Sequence, residues 1–296
     1  MRDRATLFPY LVTLAAIALL ACMDGVMKSA SLAIGAYSVL VVRSGLAAGV
    51  MMPAWLVTRG TRRPDRAAMR VHLVRGVVTA FMALTFFSAL VHLPLAEALA
   101  LSFVSPLIAL ALAALILKER IGRTAIVAAL LGIAGVLVIV GGRIGRERLT
   151  DDAALGIALV LVSAVLYAWN LVLQRQQALL ARPVEIAAFQ NAIMAAVLVV
   201  GTPFFFVAPD SGATWLRIVA AAVMSVTGAM LLAWSYARAE AQVLVPIEYT
   251  GFVWAALTGW VMFGEHVTAT TMAGAALIVI GCWIGAPRKH PEPVVT

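Results

Sequence analysis

The sequence predicts an all-α polytopic membrane protein with ten transmembrane helices, built as two inverted five-helix repeats with both termini in the cytoplasm. Composition, the number of apolar segments and an internal repeat carry this prediction. Of the 296 residues, 63% are apolar and only 12% are charged, and the mean hydropathy is +1.01. Lipid must be the main solvent of such a chain, because a soluble protein of this size needs a more polar surface.

Ten apolar segments follow one another with short connections. Each is close to the roughly 20 residues that cross a hydrocarbon core about 30 Å thick as an α-helix. None alternates polar with apolar residues, so the backbone polar groups are satisfied within helices. In chain order, the segments cover residues 8–28, 34–57, 71–91, 95–117, 124–142, 153–173, 184–207, 214–236, 242–263 and 268–286.

An ungapped offset of 146 residues relates the two halves of the chain. Glu119 repeats as Glu265, and the same offset superimposes Thr124 on Thr270, Ala129 on Ala275, Leu131 on Leu277 and Gly135 on Gly281. Since each copy holds an odd number of segments, the second copy enters the membrane upside down, an arrangement typical of alternating-access transporters. We predict a first repeat at 1–146, a second at 147–286 and a disordered cytoplasmic tail at 287–296.

The positive charge is distributed unevenly between the two sides of the predicted bundle. The formal net charge is +8, and fifteen Lys and Arg residues fall on one side against five on the other when the connections are assigned to alternate sides. The positive-inside rule places the richer side, with both termini, in the cytoplasm. The basic character therefore reflects topology, and we expect no nucleic-acid partner.

Two cysteines need an interpretation. Cys22 follows Leu19, Leu20 and Ala21 in a pattern that resembles a lipoprotein cleavage site. Cleavage there would remove the first helix and leave nine segments, so we favour an uncleaved helix. Cys22 and Cys282 both lie in apolar runs, where cysteine is most often a small core residue. We predict no disulfide, no metal site and no cofactor.

Both repeats end in the same local pattern, a helix that closes on Glu and a following helix that contains Gly. The first copy reads LILKE at 115–119 and LGIAG at 131–135, and the second reads VMFGE at 261–265 and LIVIG at 277–281. With its two repeats, the chain resembles the EamA-type permeases of the drug/metabolite transporter superfamily over nearly its whole length, and among them the YddG-like amino-acid exporters. The resemblance implies a central pathway lined by helices one to four and six to nine, with helices five and ten peripheral.

Glu119 and Glu265 are interpreted as structural helix-turn residues. A carboxylate at this position can meet the exposed amides and the positive end of the following helix. Direct contact with substrate is the alternative. The small residues of the fifth and tenth helices indicate close helix packing. We expect a monomer, and a dimer through Gly281 and Gly285 on the last helix is the alternative.

Two polar pairs inside the spans are the first candidates for a substrate site. Asp24 and Lys28 are four residues apart on one face of the first helix, and the repeat offset maps them onto Asn170 and Gln174 in the sixth. A charge in the hydrocarbon region is costly unless it meets a partner or a wet cavity. Inversion places the first pair toward the external end and the second toward the cytoplasmic end, where gates or cavity mouths would lie.

Arg43 and Glu97 add one base and one acid to the external half. With Asp24 and Lys28 they form a balanced set, which either recognises a zwitterion or neutralises itself in ion pairs that close a gate. We interpret Arg43 and Glu97 as gate or ion-pair residues. Glu97 is also a candidate proton carrier.

Glu248 supplies the only carboxylate deep in the predicted ninth helix. It is interpreted as a substrate ligand or proton carrier, with ion pairing to Arg75 or Arg238 as the alternative. Tyr249, its counterpart Phe103 at the repeat offset, and Trp169 beside Asn170 complete the predicted substrate site with aromatic rings. A passive facilitator would need neither Glu97 nor Glu248 to titrate, so proton antiport and facilitated diffusion both stay open.

These observations predict an inner-membrane transporter that exports aromatic or other neutral amino acids, or similar small amphipathic metabolites, by alternating access. The expected partners are the small-molecule substrate and the lipid bilayer. A multidrug or other metabolite permease of the same superfamily is the main alternative. An intramembrane enzyme is a distant one, since no Gly-x-Ser-x-Gly pattern with a buried His occurs in the sequence.

Overall fold

The computed structural model describes residues 2–58, 63–109, 123–144, 150–236, 238, 244 and 247–285. Within these ranges the chain is helical, and a single turn, Thr202–Phe205, follows the seventh long helix. The helices are α1 (Arg2–Ile34), α2 (Ala36–Thr58), α3 (Arg66–His92), α4 (Leu95–Ser102), α5 (Arg123–Ile144), α6 (Asp151–Leu180), α7 (Pro183–Val199), α8 (Gly212–Tyr236), α9 (Gly251–Phe263) and α10 (Ala269–Gly285).

Five of these helices, α1, α2, α3, α6 and α8, are long and apolar enough to cross a membrane. Five shorter apolar helical stretches of 10–17 residues lie in the rest of the described chain: Leu95–Ala109, Ile126–Gly142, Pro183–Val199, Gly251–Phe263 and Ala269–Ile284. The predicted segment 95–117 contains a turn at 103–104 and continues as helix to residue 109. Within the segment predicted at 242–263, Gly251–Phe263 is a helix, and Tyr249 and Thr250 just before it form a turn. Glu119 and the predicted tail 287–296 lie outside the described residues.

Local sequence explains several helix ends. Asp65 caps α3 by accepting a hydrogen bond from the Ala68 amide at 2.7 Å, and Thr150 caps α6 in the same way through Ala153. Gly264 ends α9 in the left-handed conformation, with φ of 67°. Gly35, with φ of 81°, makes the turn between α1 and α2.

Counterpart helices of the two repeats run antiparallel. Tyr37, near the start of α2, donates to the carbonyl of Leu198 near the end of α7. Trp55, near the end of α2, donates to Glu185 near the start of α7, at 3.3 Å. The pairs α4 with α9 and α5 with α10 are antiparallel as well, by the contacts described below. Opposite directions for counterpart helices are what an inverted repeat produces.

The α5–α10 pair shows the repeat relation most directly. A Cβ atom on Gly135 would lie 2.6 Å from the carbonyl oxygen of Gly274, and one on Gly281 would lie 2.9 Å from that of Ala128. Adding the offset of 146 converts 128 into 274 and 135 into 281, so the same contact is made twice. Glycine is needed here because the two backbones touch. The face of Gly281 that could serve a dimer is therefore already packed within the chain.

The remaining helices interdigitate across the repeats. Helix α1 packs mainly on α8, and α3 packs mainly on α6; α4 packs against α9 and α2 against α7. The principal contacts therefore join a helix of one repeat to a helix of the other. The buried core runs through them, with Met27, Leu40, Leu90 and Leu101 fully enclosed. Polar groups that meet between α1 to α4 and α6 to α9 consequently lie at the boundary between repeats.

Candidate functional site

One end of the bundle is held by a buried ion pair, and we call it the Lys28 end. Lys28 of α1 pairs with Glu265, which lies between α9 and α10, and their side chains are only 7% and 18% exposed. The Lys28 ammonium also donates to the carbonyl of Leu93 at 2.7 Å and lies 5.1 Å from the centre of the Phe263 ring. The pair thus joins α1 and the end of α3 to the second repeat.

Glu265 binds the amide of a different helix from the one that the sequence predicts. Its second carboxylate oxygen accepts from the amide of Leu95 at 2.7 Å, which is the first residue of α4. The amide it satisfies therefore belongs to a helix of the other repeat, not to the helix that follows it. The left-handed Gly264 turns the chain at the end of α9, so the carboxylate points across the repeat boundary.

The opposite end is held by a network of neutral amides around one cation, and we call it the Arg75 end. Arg75 of α3 donates to Asn170 at 3.0 Å, to Gln177 and to Gln174 at 3.5 Å. Thr79 donates to the same Asn170 oxygen at 3.3 Å. Three amide side chains of α6 therefore converge on one buried guanidinium of α3.

His72 extends this network to α7 and α2. Its ring is fully buried and stacks on Phe189, with centroids 4.7 Å apart. Nδ1 of His72 accepts from the Gln177 amide at 2.5 Å, so Nε2–H donates to Glu185 at 3.1 Å. The other oxygen of Glu185 accepts from Trp55. The Arg75 end thus links α2, α3, α6 and α7.

The two ends are far apart along the bundle. Arg75 and Leu93 are separated by 18 residues, nearly all within α3, which corresponds to roughly 27 Å at the rise of an α-helix. Each end joins helices of different repeats. The part of the bundle between the two ends is therefore bounded on both sides by repeat-to-repeat contacts.

Asp24 and Arg43 face one another one helical turn inside the Lys28 end. The carboxylate of Asp24 and the guanidinium of Arg43 interact electrostatically, but no ion pair within 4.0 Å joins them in the described part of the chain. Arg43 contacts the Met23 sulfur at 3.9 Å and lies 5.7 Å from the centre of the Phe87 ring. These two charges compensate each other at a distance.

Glu248 lies just before α9 and accepts a hydrogen bond from Tyr236 at the end of α8. It also interacts electrostatically with Tyr167 of α6, which in turn interacts with Arg75. Neither Arg75 nor Arg238 pairs with it, since Arg75 binds the α6 amides and Arg238 lies over the Trp234 ring at 4.1 Å. The alternative of an ion pair to either arginine is therefore wrong for this conformation.

Phe103 and Tyr249, counterparts at the repeat offset, contact each other edge to face with centroids 5.3 Å apart. Cys282 of α10 donates to the Phe103 carbonyl at 3.4 Å, and its thiol lies close enough to the Tyr249 hydroxyl for the two groups to interact. Two counterpart residues can touch only where the repeats meet. Tyr249 directly follows Glu248 in the sequence, and its contact with Phe103 marks the α4–α9 boundary.

The other predicted residues have diverse surroundings. Trp169 is 51% exposed, and the structure shows no polar contact that would join it to Asn170. Gln174 is exposed apart from its contact with Arg75. Glu97 is buried and lines a small pocket together with Glu265 and His266. The described residues contain no group of three His, Cys, Asp or Glu side chains that could hold a metal ion.

Sequence reasoning missed most of the Arg75 end. Gln177, His72 and Glu185 carry that network, and Tyr236 is the partner of Glu248. Gln177 could have been found, because it lies one further turn along the face that carries Asn170 and Gln174. The contact between His72 and Glu185 could not be found in this way, because the two residues lie 113 positions apart and meet only through packing of α3 on α7.

The chain is similar to curated transporters over most of its length. It is 30% identical over 260 residues to the pseudopaline exporter of Pseudomonas aeruginosa strain UCBPP-PA14, covering 88% of this chain and 89% of that one. It is 27% identical over 271 residues to a riboflavin transporter of Vibrio cholerae serotype O1, covering 88% and 86%. Both relatives are named for the transport of small molecules.

A solved crystal structure shares the fold. It matches with a TM-score of 0.62 and 23% sequence identity, and the match covers 96% of this chain and 98% of the other. The family model of the EamA-like transporters matches twice, at residues 7–141 and again at 154–285. These two matches coincide with the two helical repeats. The chain is a multi-pass membrane protein with two repeats and belongs to the EamA-like transporter family.

Proposed function

We propose that this transporter exports amino acids, aromatic or other neutral ones, or similar small amphipathic metabolites across the inner membrane. The observation that carries the proposal is a polar and aromatic middle region between two ends that are each closed by contacts between repeats. Asp24 and Arg43 lie on one side of that region, and Glu248 lies with Tyr167 on the other. Balanced charges with aromatic rings suit a small molecule that is zwitterionic and partly apolar.

Alternating access follows from the same arrangement. Opening the Lys28 end requires Lys28 to leave Glu265 and Leu93, whereas opening the Arg75 end requires Arg75 to leave the amides of α6. Rocking of one repeat against the other would break one set of contacts while keeping the other. The substrate site would then open to each side of the membrane in turn. A single chain would be sufficient for this cycle.

The orientation in our proposal places the Arg75 end and both termini in the cytoplasm. Exposed basic residues concentrate there: Arg63, Arg66, Arg70, Arg123, Arg182 and Arg238. At the Lys28 end, Arg217 is the exposed arginine among the described residues. This asymmetry agrees with the positive-inside rule. The Lys28 end would therefore be the external gate.

A second candidate function is the export of another metabolite class. The names of the relatives favour it, because one is a pseudopaline exporter and another a riboflavin transporter. Such a permease would use the same ends and the same middle region, with different contacts to the cargo. The two candidates differ in substrate, not in architecture.

Counterflow in reconstituted liposomes tests both candidates. Vesicles are preloaded with single amino acids that sample aromatic, branched, small and charged side chains, and separate vesicles are preloaded with pseudopaline or riboflavin. Accumulation of labelled neutral amino acid, reduced at least about tenfold in Asp24→Asn and in Glu248→Gln, supports the first candidate. Asp151→Asn is the matched control, because Asp151 is exposed in the first turn of α6.

Other outcomes divide the possibilities. Accumulation that responds only to pseudopaline or riboflavin would support the second candidate and reject amino-acid export. Accumulation of none of these compounds, in vesicles that contain folded protein, would reject both substrate assignments. Equal activity of Glu248→Gln and the wild type would remove Glu248 from the substrate site and leave it as a partner of Tyr236.

A further inference from the structure

We infer that Arg75 is the receptor for a carboxylate group of the substrate and that Glu248, across Tyr167, receives its ammonium group. The inference rests on the proposed function and deepens it, since it names the chemical class of the cargo as an α-amino acid or a larger metabolite that carries the same zwitterionic unit. It also assigns to Arg75 a role that a purely structural network would not require.

The first step concerns charge compensation. Arg75 is only 6% exposed, and its three hydrogen-bond acceptors are the neutral amides of Asn170, Gln174 and Gln177. In the described part of the chain, no carboxylate lies within 4.0 Å of its guanidinium. A guanidinium held by amides alone keeps its full charge in a setting where an isolated charge is costly. An anionic ligand would offset that cost.

The other two buried cations of the described chain, Lys28 and Arg43, each have a carboxylate to balance their charge. Lys28 has the carboxylate of Glu265 as a direct partner, and Arg43 has the carboxylate of Asp24 facing it. Arg75 lacks both kinds of compensation among the described residues. It is therefore the cation best prepared to accept a counter-charge from a molecule that enters the bundle.

A ligand carboxylate could reach Arg75 from the side of Gln174. The contact from Arg75 to Gln174 is long, at 3.5 Å, and Gln174 is exposed, whereas Asn170 and Gln177 are buried. The guanidinium is thus firmly held on the Asn170 and Gln177 side and loosely held on the Gln174 side. A planar guanidinium can offer two parallel N–H donors to a carboxylate. A ligand carboxylate would displace the weakest of the three contacts.

The Glu248 carboxylate supplies the negative charge that would bind the ammonium group of the substrate. Glu248 is half-buried, accepts from Tyr236 and pairs with no cation in the described ranges. Tyr167 interacts electrostatically with both Glu248 and Arg75 and is 37% exposed although it lies in the interior of α6. One uncompensated cation and one uncompensated anion therefore flank an accessible ring. The Phe103–Tyr249 pair next to Glu248 gives an apolar surface for the rest of the cargo.

The test uses four ligands that share a phenylethyl group and measures their binding to detergent-purified full-length protein by isothermal titration. The ligands are phenylalanine, phenethylamine without the carboxylate, 3-phenylpropionate without the amine, and phenylalaninamide. We expect phenylalanine to bind most tightly. In Arg75→Gln, its affinity and that of 3-phenylpropionate should fall at least about tenfold, while phenethylamine binding stays within about twofold. In Glu248→Gln, the pattern should reverse.

A second variant keeps the inference testable even if Arg75→Gln does not fold. Gln174→Glu introduces a carboxylate of the same shape beside Arg75, which would act as an internal competitor for a ligand carboxylate. We expect at least about tenfold weaker binding of phenylalanine and 3-phenylpropionate in this variant. Gln176→Glu is the matched control, because Gln176 is exposed on the same helix two residues away.

The outcomes are distinct. Equal affinities for phenylalanine in Gln174→Glu, Gln176→Glu and the wild type would overturn the inference, as would the absence of binding by either carboxylate-bearing ligand. Transport of cationic or neutral compounds without any carboxylate preference would overturn it while leaving a transporter. Carboxylate-dependent binding without translocation in liposomes would uphold the inference and reject the proposed export.

Discussion

The two ends of the bundle occupy related positions in the repeat, yet they are closed by different chemistry. Lys28 and Gln174 superimpose at the repeat offset, and so do Asp24 and Asn170. At the Lys28 end a cation of α1 binds a carboxylate directly. At the Arg75 end the cation comes from α3, and the repeat position holds a neutral acceptor. The repeat therefore preserves where polar groups lie but not which charge they carry.

This difference has a mechanical consequence. An ion pair that is mostly buried has two states, since either partner left alone keeps a costly charge. The amide network around Arg75 can lose one hydrogen bond at a time, and each bond from the charged guanidinium to a neutral amide contributes about 1.5–3 kcal/mol net. The Lys28 end should therefore open in one step, and the Arg75 end should yield gradually as a ligand replaces its acceptors.

The largest effect is expected from breaking the ion pair. Lys28→Met leaves the Glu265 carboxylate with the Leu95 amide but without its cation, and it should lower the free energy of unfolding by about 3 kcal/mol. The measurement is an equilibrium SDS titration in mixed micelles. Adding Glu265→Gln to Lys28→Met should recover part of the loss, because no uncompensated charge then remains.

The control for this experiment is Arg217→Met. Arg217 is exposed at the same end of the bundle, so removing its charge should change the free energy of unfolding by less than about 0.5 kcal/mol. If Lys28→Met and Arg217→Met behaved alike, the ion pair would not distinguish the two ends, and the comparison would fail at its first step.

The next effect concerns a region where the repeats do use the same chemistry twice. Gly135→Ala and Gly281→Ala each place a methyl group against a backbone carbonyl of the facing helix, so each should cost about 1–3 kcal/mol in the free energy of unfolding. Because the two contacts are counterparts, their costs should be similar. Gly141→Ala in α5, where a Cβ meets nothing within 4 Å, is the control.

A large difference between Gly135→Ala and Gly281→Ala would show that the α5–α10 pair is as asymmetric as the two ends. The same SDS titration reads it out. Equal costs, together with a near-neutral Gly141→Ala, would show that the asymmetry is confined to the polar ends.

A smaller effect is expected from Glu185→Gln at the Arg75 end. Glu185 accepts from His72 and Trp55. Glutamine in its place keeps one acceptor oxygen, but its NH2 group faces the N–H of the other partner, so one hydrogen bond is lost. The free energy of unfolding should fall by about 1 kcal/mol, with Asp151→Asn unchanged as a control. A loss as large as that of Lys28→Met would mean that the Arg75 end also depends on a single charged group.

The smallest effect is expected at the aromatic pair between the two ends. Tyr249→Phe removes the hydroxyl that interacts with Cys282 and keeps the ring contact with Phe103, so the free energy of unfolding should fall by about 0.5 kcal/mol. Tyr10→Phe is the control substitution. Substrate affinity in the counterflow assay should be retained, because the ring stays in place. Loss of transport would assign the hydroxyl to the substrate site.

Some predicted features came from pattern alone. The apolar segments, the repeat offset and the family were all readable because lipid selects for long apolar helices and because two copies of one unit keep the same spacing. The offset paired Phe103 with Tyr249 as counterparts, but it did not predict their contact, since the counterparts Lys28 and Gln174 lie at opposite ends of the bundle. The substrate role of Trp169 found no supporting contact, because its position beside Asn170 in sequence does not place it on the same face of α6.

Other features needed the packed structure. Glu265 looked like a residue for its own following helix, but the turn at Gly264 directs it to Leu95 and Lys28 instead. Ion pairing to an arginine was the alternative for Glu248, but its hydrogen-bond partner is Tyr236. In each case the partner lies on a helix whose distance cannot be read from sequence, because side-chain partners depend on helix rotation and on which helices are neighbours.

The sequence by itself determined the solvent, the number of apolar segments, the two-copy organisation and the family of this protein, because each of these is a property of composition or spacing along one chain. Only the tertiary structure decided which buried charges are compensated. In the packed bundle, Glu265 pairs with Lys28, Asp24 interacts with Arg43, and Arg75 is hydrogen-bonded only to neutral amides among the described residues. Charge compensation depends on distances between helices, and helices from opposite repeats are brought together only when the bundle packs.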